Sequence, residues 1–124
     1  MKKKRVLIVE DDSFQTKVFE QIVSKLKVQS HLVSTGIGAI KYLQENKDIG
    51  LVLLDLALPD ISGMQVLEEL KKVGNKVPVA ILSASEESSI AVKAGRLGAS
   101  DFFIKGKSDL MRLFEFIDDV MNQY

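Results

Sequence analysis

Short apolar runs alternate five times with longer amphipathic stretches along this chain, and this alternation restricts its possible folds more than any other feature. The runs are rich in Val, Ile, Leu or Phe, and several are apolar almost without interruption. Unbroken apolar runs are typical of strands in a parallel sheet, because both faces of such a sheet are covered. The predicted strands cover residues 6–9, 28–33, 51–56, 77–82 and 102–104, of which 28–33 has the weakest pattern.

The stretches between the runs place their apolar residues at helical spacing. The last stretch is the clearest, with Leu110, Leu113, Phe114, Ile117, Val120 and Met121 on one face. Gly95 weakens the fourth stretch, and Pro78 favours the start of a strand after the third helix. Five strand-then-helix repeats predict an α/β sandwich of three layers with right-handed crossovers. In such folds ligands bind outside the carboxyl ends of the strands.

Length and composition exclude several classes of protein. A chain of 124 residues is one ordinary domain, so we predict a single domain over residues 1–124. The absence of cysteine excludes disulfides and cysteine-bound metals, and the single histidine, His31, excludes a multi-histidine site. Seventeen basic and seventeen acidic residues cancel, which argues against direct nucleic-acid binding. The apolar run at 6–9 is too short for a signal peptide or a membrane span, so we expect a cytoplasmic protein.

Polar residues follow four of the predicted strands. Glu10-Asp11-Asp12 follows the first strand and Asp55 ends the third, while Ser83 and Lys105 follow the fourth and fifth. Each has an ordinary alternative role: Asp11 or Asp12 could cap the next helix, Ser83 could do the same, and Lys105 could be solvated. Asp55 is the exception, because a carboxylate at the end of a buried strand is costly without a partner.

Taken together, these groups predict a phosphoryl-transfer site. Asp11, Asp12 and Asp55 would crowd three negative charges, which favours recruitment of a cation. Carboxylate oxygens suit Mg²⁺. Lys105 and Ser83 can contact phosphoryl oxygens, and Asp55 is the natural nucleophile, since carboxylates form acyl phosphates.

These residues resemble the receiver domain of bacterial two-component response regulators over essentially the whole chain. The resemblance rests on four fragments at matching intervals: Val6 to Asp12, Asp55 to Gly63, Ser83-Ala84, and Gly98 to Lys105. It implies a flavodoxin-like, doubly wound (βα)5 sheet in the order 2-1-3-4-5. It also implies that the chain catalyses only its own phosphorylation and dephosphorylation and is not otherwise an enzyme.

The resemblance also implies roles for particular residues. Asp55 would accept a phosphoryl group from a sensor histidine kinase or a histidine phosphotransfer protein. Asp11, Asp12, Asp55 and the backbone carbonyl of Ala57 would hold Mg²⁺, and Ser83 and Lys105 would contact the phosphoryl group. Ser83 and Phe102 would form the switch, so that the face made by the fourth helix, fifth strand and fifth helix changes its affinity for a downstream protein or a second copy of the chain. We expect no output domain in residues 1–124, so signalling would pass through protein contacts unless the chain is a piece of a longer regulator.

The chain departs from the family at three positions. Gly106 replaces the usual proline after the lysine, Phe102 stands where tyrosine is often found, and Ser83 replaces the commoner threonine. In the family the bond after the lysine is typically cis. A cis bond before a residue other than proline costs about 2.5–4 kcal/mol, so we predict a trans Lys105–Gly106 bond.

Three other functions compete with this hypothesis. A phosphatase of the haloacid dehalogenase type needs an acid/base two residues after its nucleophile, and Ala57 cannot transfer protons. A flavodoxin-like cofactor binder would not place Glu10-Asp11-Asp12 where it would repel a phosphate. The stronger alternative is an interaction module that keeps the receiver fold but is not phosphorylated, and the changed Lys105–Gly106 junction motivates it.

Overall fold

The computed structural model describes residues 4–106 and 109–122, which form alternating strands and helices. The strands are β1 (Arg5–Val9), β2 (Ser30–Val33), β3 (Ile49–Asp55), β4 (Val79–Ser83) and β5 (Asp101–Ile104). The helices are α1 (Ser13–Lys25), α2 (Gly36–Glu45), α3 (Gly63–Lys72), α4 (Ser88–Arg96) and α5 (Asp109–Asn122). All strand pairs are parallel, in the order β2-β1-β3-β4-β5, which confirms the predicted fold class.

The sheet separates two apolar cores, because successive side chains of a strand point to opposite faces. In β3, Val52 and Leu54 pack into the core under α2, α3 and α4, whereas Leu51 and Leu53 pack into the core under α1 and α5. These strand residues are fully buried. Coverage on both faces explains why the sequence of β3 is apolar without alternation.

Helix boundaries follow from local capping chemistry. At the start of α3, the Ser62 hydroxyl accepts a bond from Gln65 N while the Gln65 side chain accepts one from Ser62 N, a reciprocal capping box. The predicted second strand is too long by two residues, since Val28 N still bonds to Val23 O in the turn that ends α1. α4 forms despite Gly95.

The carboxyl ends of β1, β3, β4 and β5 lie along one edge of the sheet. The strand order reverses between β1 and β3, since β2 lies outside β1 while β4 and β5 follow β3. The register pairs Val9 with Leu54, and it therefore brings the next residues, Glu10 and Asp55, side by side. None of the helices described is both long and apolar enough to cross a membrane.

Candidate functional site

A buried ion-paired cluster lies where these strands end. Asp55, the last residue of β3, is only 3% exposed, and its Oδ1 lies 2.9 Å from Nζ of Lys105. The same ammonium lies 2.7 Å from Oε1 of Glu10, whose side chain is also buried. One lysine therefore pairs with two carboxyl groups that burial would otherwise penalise.

Glu10 is held from two sides. Its Oε2 accepts bonds from the backbone N–H groups of Asp11 and Asp12, at 3.1 and 3.3 Å. Its Oε1 contacts the Lys105 ammonium but has no well-aligned hydrogen-bond donor among the described residues. Burial, followed by the nearby Asp55 carboxyl group, raises the pKa of Glu10 from 4.5 to about 7, and Lys105 opposes this shift. The carboxyl group is therefore partly protonated near neutral pH.

Lys105 is positioned by the chain on both sides of it. Its backbone N–H donates to the carbonyl of Ser83 at 2.8 Å, which continues the pairing of β4 and β5 by one residue.

Burial alone would lower the pKa of Lys105, but the contacts with Glu10 and Asp55 outweigh it and the pKa is raised. The Lys105–Gly106 bond is trans, as predicted, and Gly106 has φ +66°, a conformation that favours glycine and that proline cannot adopt.

Asp12, the third acidic residue after β1, lies at the start of α1. Asp12, predicted as a metal ligand, is the N-cap of α1, where its Oδ1 accepts bonds from Phe14 N (2.8 Å) and Gln15 N (3.1 Å). Helix N-termini present unpaired N–H groups, which a short acidic side chain satisfies well. Glu10 instead contacts Lys105, whereas the next residue, Asp11, is exposed.

The loop after β3 fixes the Asp55 carboxylate. Ala57 N donates to Asp55 Oδ1 at 3.1 Å, so this oxygen is held by both the loop and Lys105. At the far end of the loop, Gly63 N donates to Leu56 O at 2.9 Å. A Cβ on Gly63 would lie 2.6 Å from the carbonyl oxygen of Asp55, so a side chain there would force the loop away.

The two predicted switch residues lie on neighbouring strands. Ser83 ends β4 and is buried, and its hydroxyl accepts a bond from Ser85 N at 3.0 Å. Phe102 lies in β5, opposite Ile81 of β4, and packs against the core under α3 and α4. The hydroxyl of Ser83 is therefore at the predicted edge, while Phe102 is partly buried on the α4 side of the sheet.

The donor chemistry of this cluster fits a hard divalent cation, although the acidic groups are not gathered around one point. Within residues 4–106 and 109–122 no three Asp, Glu, His or Cys side chains are grouped closely enough to hold a metal ion. The positive charge between Glu10 and Asp55 comes from Lys105 instead. The available donors are carboxylate and carbonyl oxygens, which Mg²⁺ prefers, and Oε1 of Glu10 is a buried oxygen without an aligned donor.

A five-stranded parallel sheet in the order 2-1-3-4-5, with acidic groups and a lysine at its carboxyl edge, defines a receiver-type signalling domain. The family model for the response regulator receiver domain matches residues 6–118, and the chain belongs to that family. Receiver domains are signalling modules of two-component systems, and membership is consistent with a phosphorylation-activated switch.

Similar proteins agree with this assignment. The Regulator of RpoS from Escherichia coli K12 is 32% identical over 114 residues, which are 92% of this chain and 34% of that protein. The signal receiver domain of a LuxO repressor protein from Vibrio parahaemolyticus has a TM-score of 0.87 at 31% identity and covers 97% of this chain and 91% of that one. The Mn²⁺-bound form of response regulator Rcp1 has the same fold, with a TM-score of 0.80 at 23% identity, covering 98% and 96% of the two chains. The chain spans about a third of the first curated relative, 34%.

Proposed function

We propose that this chain is a switch that is activated when Asp55 accepts a phosphoryl group from a histidine kinase or a histidine phosphotransfer protein. The observation that carries the proposal is the buried Asp55 carboxylate, ion-paired with Lys105 at the carboxyl edge of the sheet. Burial of a charged group at this edge is costly for folding alone, whereas a nucleophile in phosphoryl transfer needs this kind of positioning and charge compensation.

The chemistry follows from the groups around Asp55. An oxygen of its carboxylate attacks phosphorus, the P–N bond of a phosphohistidine breaks, and the imidazole leaves as the acyl phosphate forms. Lys105 compensates negative charge on the phosphoryl oxygens, and the Ser83 hydroxyl at the end of β4 donates a hydrogen bond to one of them. Ala57 N and Lys105 hold Oδ1 and thereby fix the orientation of the carboxylate before transfer.

The cation of this reaction is Mg²⁺ in our proposal, and a neighbouring structure with bound Mn²⁺ supports a divalent metal. The ligands would come from Asp11, Asp55 and the Ala57 carbonyl, with Glu10 in the role first predicted for Asp12. When bound, the metal neutralises charge on the incoming phosphoryl oxygens. Burial of Glu10 and its bonds to two backbone N–H groups prepare this side chain for such a role.

The chain is then not an enzyme toward other substrates, because its chemistry acts on its own Asp55. The output would pass to a downstream protein or a second copy of the chain through the face made by α4, β5 and α5. A cytoplasmic location fits a partner of histidine kinases. The activities of whole proteins such as the Regulator of RpoS do not transfer to this chain, which matches only a part of them.

The test is covalent labelling with a small acyl phosphate and Mg²⁺, followed by intact-mass analysis. We expect a gain of one phosphoryl group in the wild type and none in Asp55→Asn. Asp118→Asn, a carboxylate change on α5, serves as the matched control and keeps the gain. Equal labelling of Asp55→Asn would overturn the proposal. An unlabelled but folded wild type would favour the module without phosphorylation, which the unusual Gly106 junction motivates.

A further inference from the structure

The loop between β3 and α3 is tied to a different helix by one side chain. Asp60 Oδ1 accepts a bond from Gly36 N at 2.8 Å, and its Oδ2 accepts one from Ile37 N at 2.9 Å. Both N–H groups belong to the first turn of α2, which lies 23 and 24 residues earlier in the sequence. These bonds, chiefly the one from Ile37, hold the pKa of Asp60 below its usual range, so the side chain is charged at neutral pH.

Close packing accompanies this fork of hydrogen bonds. Gly36 is buried, and a Cβ at this position would lie 2.6 Å from Cγ1 of Ile61 and 2.8 Å from Cγ2 of Val66. The loop therefore approaches α2 as closely as a bare glycine permits. Among the other hydrogen bonds of the loop, those made by Ala57, Ser62 and Gly63 are local to the β3–α3 segment. Leu56 N, at the start of the loop, donates to Leu82 O of β4 at 3.2 Å.

The loop fixed in this way carries the groups that the proposed reaction needs. Ala57, three residues before Asp60, orients Asp55 through its N–H, and its carbonyl is a proposed cation ligand. The base of the loop is closed by Gly63 against the backbone of Asp55 and Leu56. Its tip is held by the Asp60 fork. Because both the base and the tip of the loop are held, the Ala57 carbonyl between them stays in one place.

We propose that Asp60 is a positioning residue for the cation at Asp55, because its forked bonds to the first turn of α2 fix the loop that presents the Ala57 carbonyl. The inference deepens the proposed function and rests on it. Groups that orient a metal ligand typically change metal affinity or activity 10–100-fold when they are removed. Removal of Asp60 should therefore weaken Mg²⁺ binding beyond any general loss of stability.

The chain offers a matched control on the same helix. Thr35 Oγ1 accepts a bond from Gly38 N at 2.9 Å and so caps α2 through a bond local to that helix. Thr35→Ala removes a cap from α2, and Asp60→Ala removes both a cap and the connection to the loop. Asp60→Asn keeps one acceptor oxygen and should therefore retain part of the attachment between the loop and α2.

The experiment titrates the ¹⁵N-labelled full chain with MgCl₂ and follows amide shifts by NMR, with amide exchange of residues 56–62 measured without metal. We expect Asp60→Ala to lower Mg²⁺ affinity roughly tenfold and to speed exchange of the loop, with Asp60→Asn intermediate and Thr35→Ala within about twofold of the wild type. Equal effects of Asp60→Ala and Thr35→Ala would overturn the inference. If the wild type bound no Mg²⁺, the proposed cation site and the positioning role would both fail. If the wild type bound Mg²⁺ and Asp60→Ala bound it with equal affinity, the positioning role alone would fail.

Discussion

At the scale of single residues, the position of Glu10 decides how the site responds to pH. The carboxyl group lies against Asp55 from β3 and Lys105 from the end of β5, and burial raises its pKa from 4.5 to about 7. Between these values the folded protein keeps a proton that the unfolded chain has lost. The free energy of unfolding should therefore fall as the pH rises from about 4.5 to about 7, and this contribution should then level off.

The same proton competes with a cation for Glu10. We predict that Mg²⁺ affinity rises as the pH increases from 6 to 8, because a carboxylate must lose its proton before it binds a metal. Calorimetric titration at several pH values measures both the affinity and the protons released. Glu10→Gln should flatten this pH dependence. A wild-type affinity that does not change with pH would show that Glu10 does not take part in binding.

Asp12 differs from Glu10, because we expect its carboxylate to affect stability and not Mg²⁺ binding. It caps α1 through bonds to Phe14 N and Gln15 N. We predict that Asp12→Ala lowers the free energy of unfolding by about 1 kcal/mol, the usual value for a lost N-cap. Urea denaturation measures this loss. Mg²⁺ affinity should stay close to that of the wild type, and a large decrease would return Asp12 to the role of metal ligand.

At the scale of secondary-structure elements, two helical glycines differ in how closely other atoms pack around them. A Cβ on Gly63, the first residue of α3, would lie 2.6 Å from Asp55 O and 2.8 Å from the Cα of Leu56. Gly95 in α4 has no atom within 4 Å of such a Cβ. The same substitution should therefore have opposite effects in the two helices.

We predict that Gly63→Ala destabilises the protein by about 1–3 kcal/mol, because backbone atoms must shift to admit the methyl group. Gly95→Ala should stabilise it by about 0.5 kcal/mol through the better helix propensity of alanine. Thermal and urea unfolding of the two variants beside the wild type measure both changes. A neutral Gly63→Ala would mean that the loop after β3 is not tightly closed on the Asp55 backbone.

These elements also show how far the sequence determines the site. The strand ends at Asp55 and Ser83 are predictable, since an apolar run gives way to a polar residue there. The role of Glu10 is not, because it depends on a register that pairs Val9 with Leu54 and so places Glu10 beside Asp55. Register is set by packing of the whole sheet, and Glu10-Asp11-Asp12 alone leaves open which of its acids reaches the site.

At the scale of the whole molecule, the site is connected through Lys105 to the edge of the sheet formed by β4 and β5. Lys105 N bonds to Ser83 O, and Phe102 of β5 packs in the core under α3 and α4. Arg112 of α5 pairs with Asp101 at 3.2 Å and donates to the carbonyl of Phe102, so α5 is attached to the same strand. A change at Lys105 therefore reaches β5 and, through it, α4 and α5.

Of the two helices on the face made by α4, β5 and α5, α4 is held less firmly. Ala94 is its buried residue, and its N-cap, Glu87, makes no side-chain capping bond. α5, by comparison, buries both Leu113 and Ile117. Elements with few buried contacts open or shift at the lowest free-energy cost. A new charge at Asp55 should therefore change the position of α4 before it changes that of α5.

We predict that the phosphate mimic beryllofluoride with Mg²⁺ changes amide shifts and hydrogen exchange most strongly in α4 and β5. Helix α2 should change less, since it packs mainly against β1 and α3 and its first turn stays bonded to Asp60. Lys105→Ala should abolish the response of α4 even where the mimic still binds, because Lys105 joins the carboxylates to the end of β4. NMR of the wild type and this variant makes the comparison, with Lys93→Ala on the exposed surface of α4 as the control. An undiminished shift of α4 in Lys105→Ala would show that the signal leaves the site by a route other than Lys105.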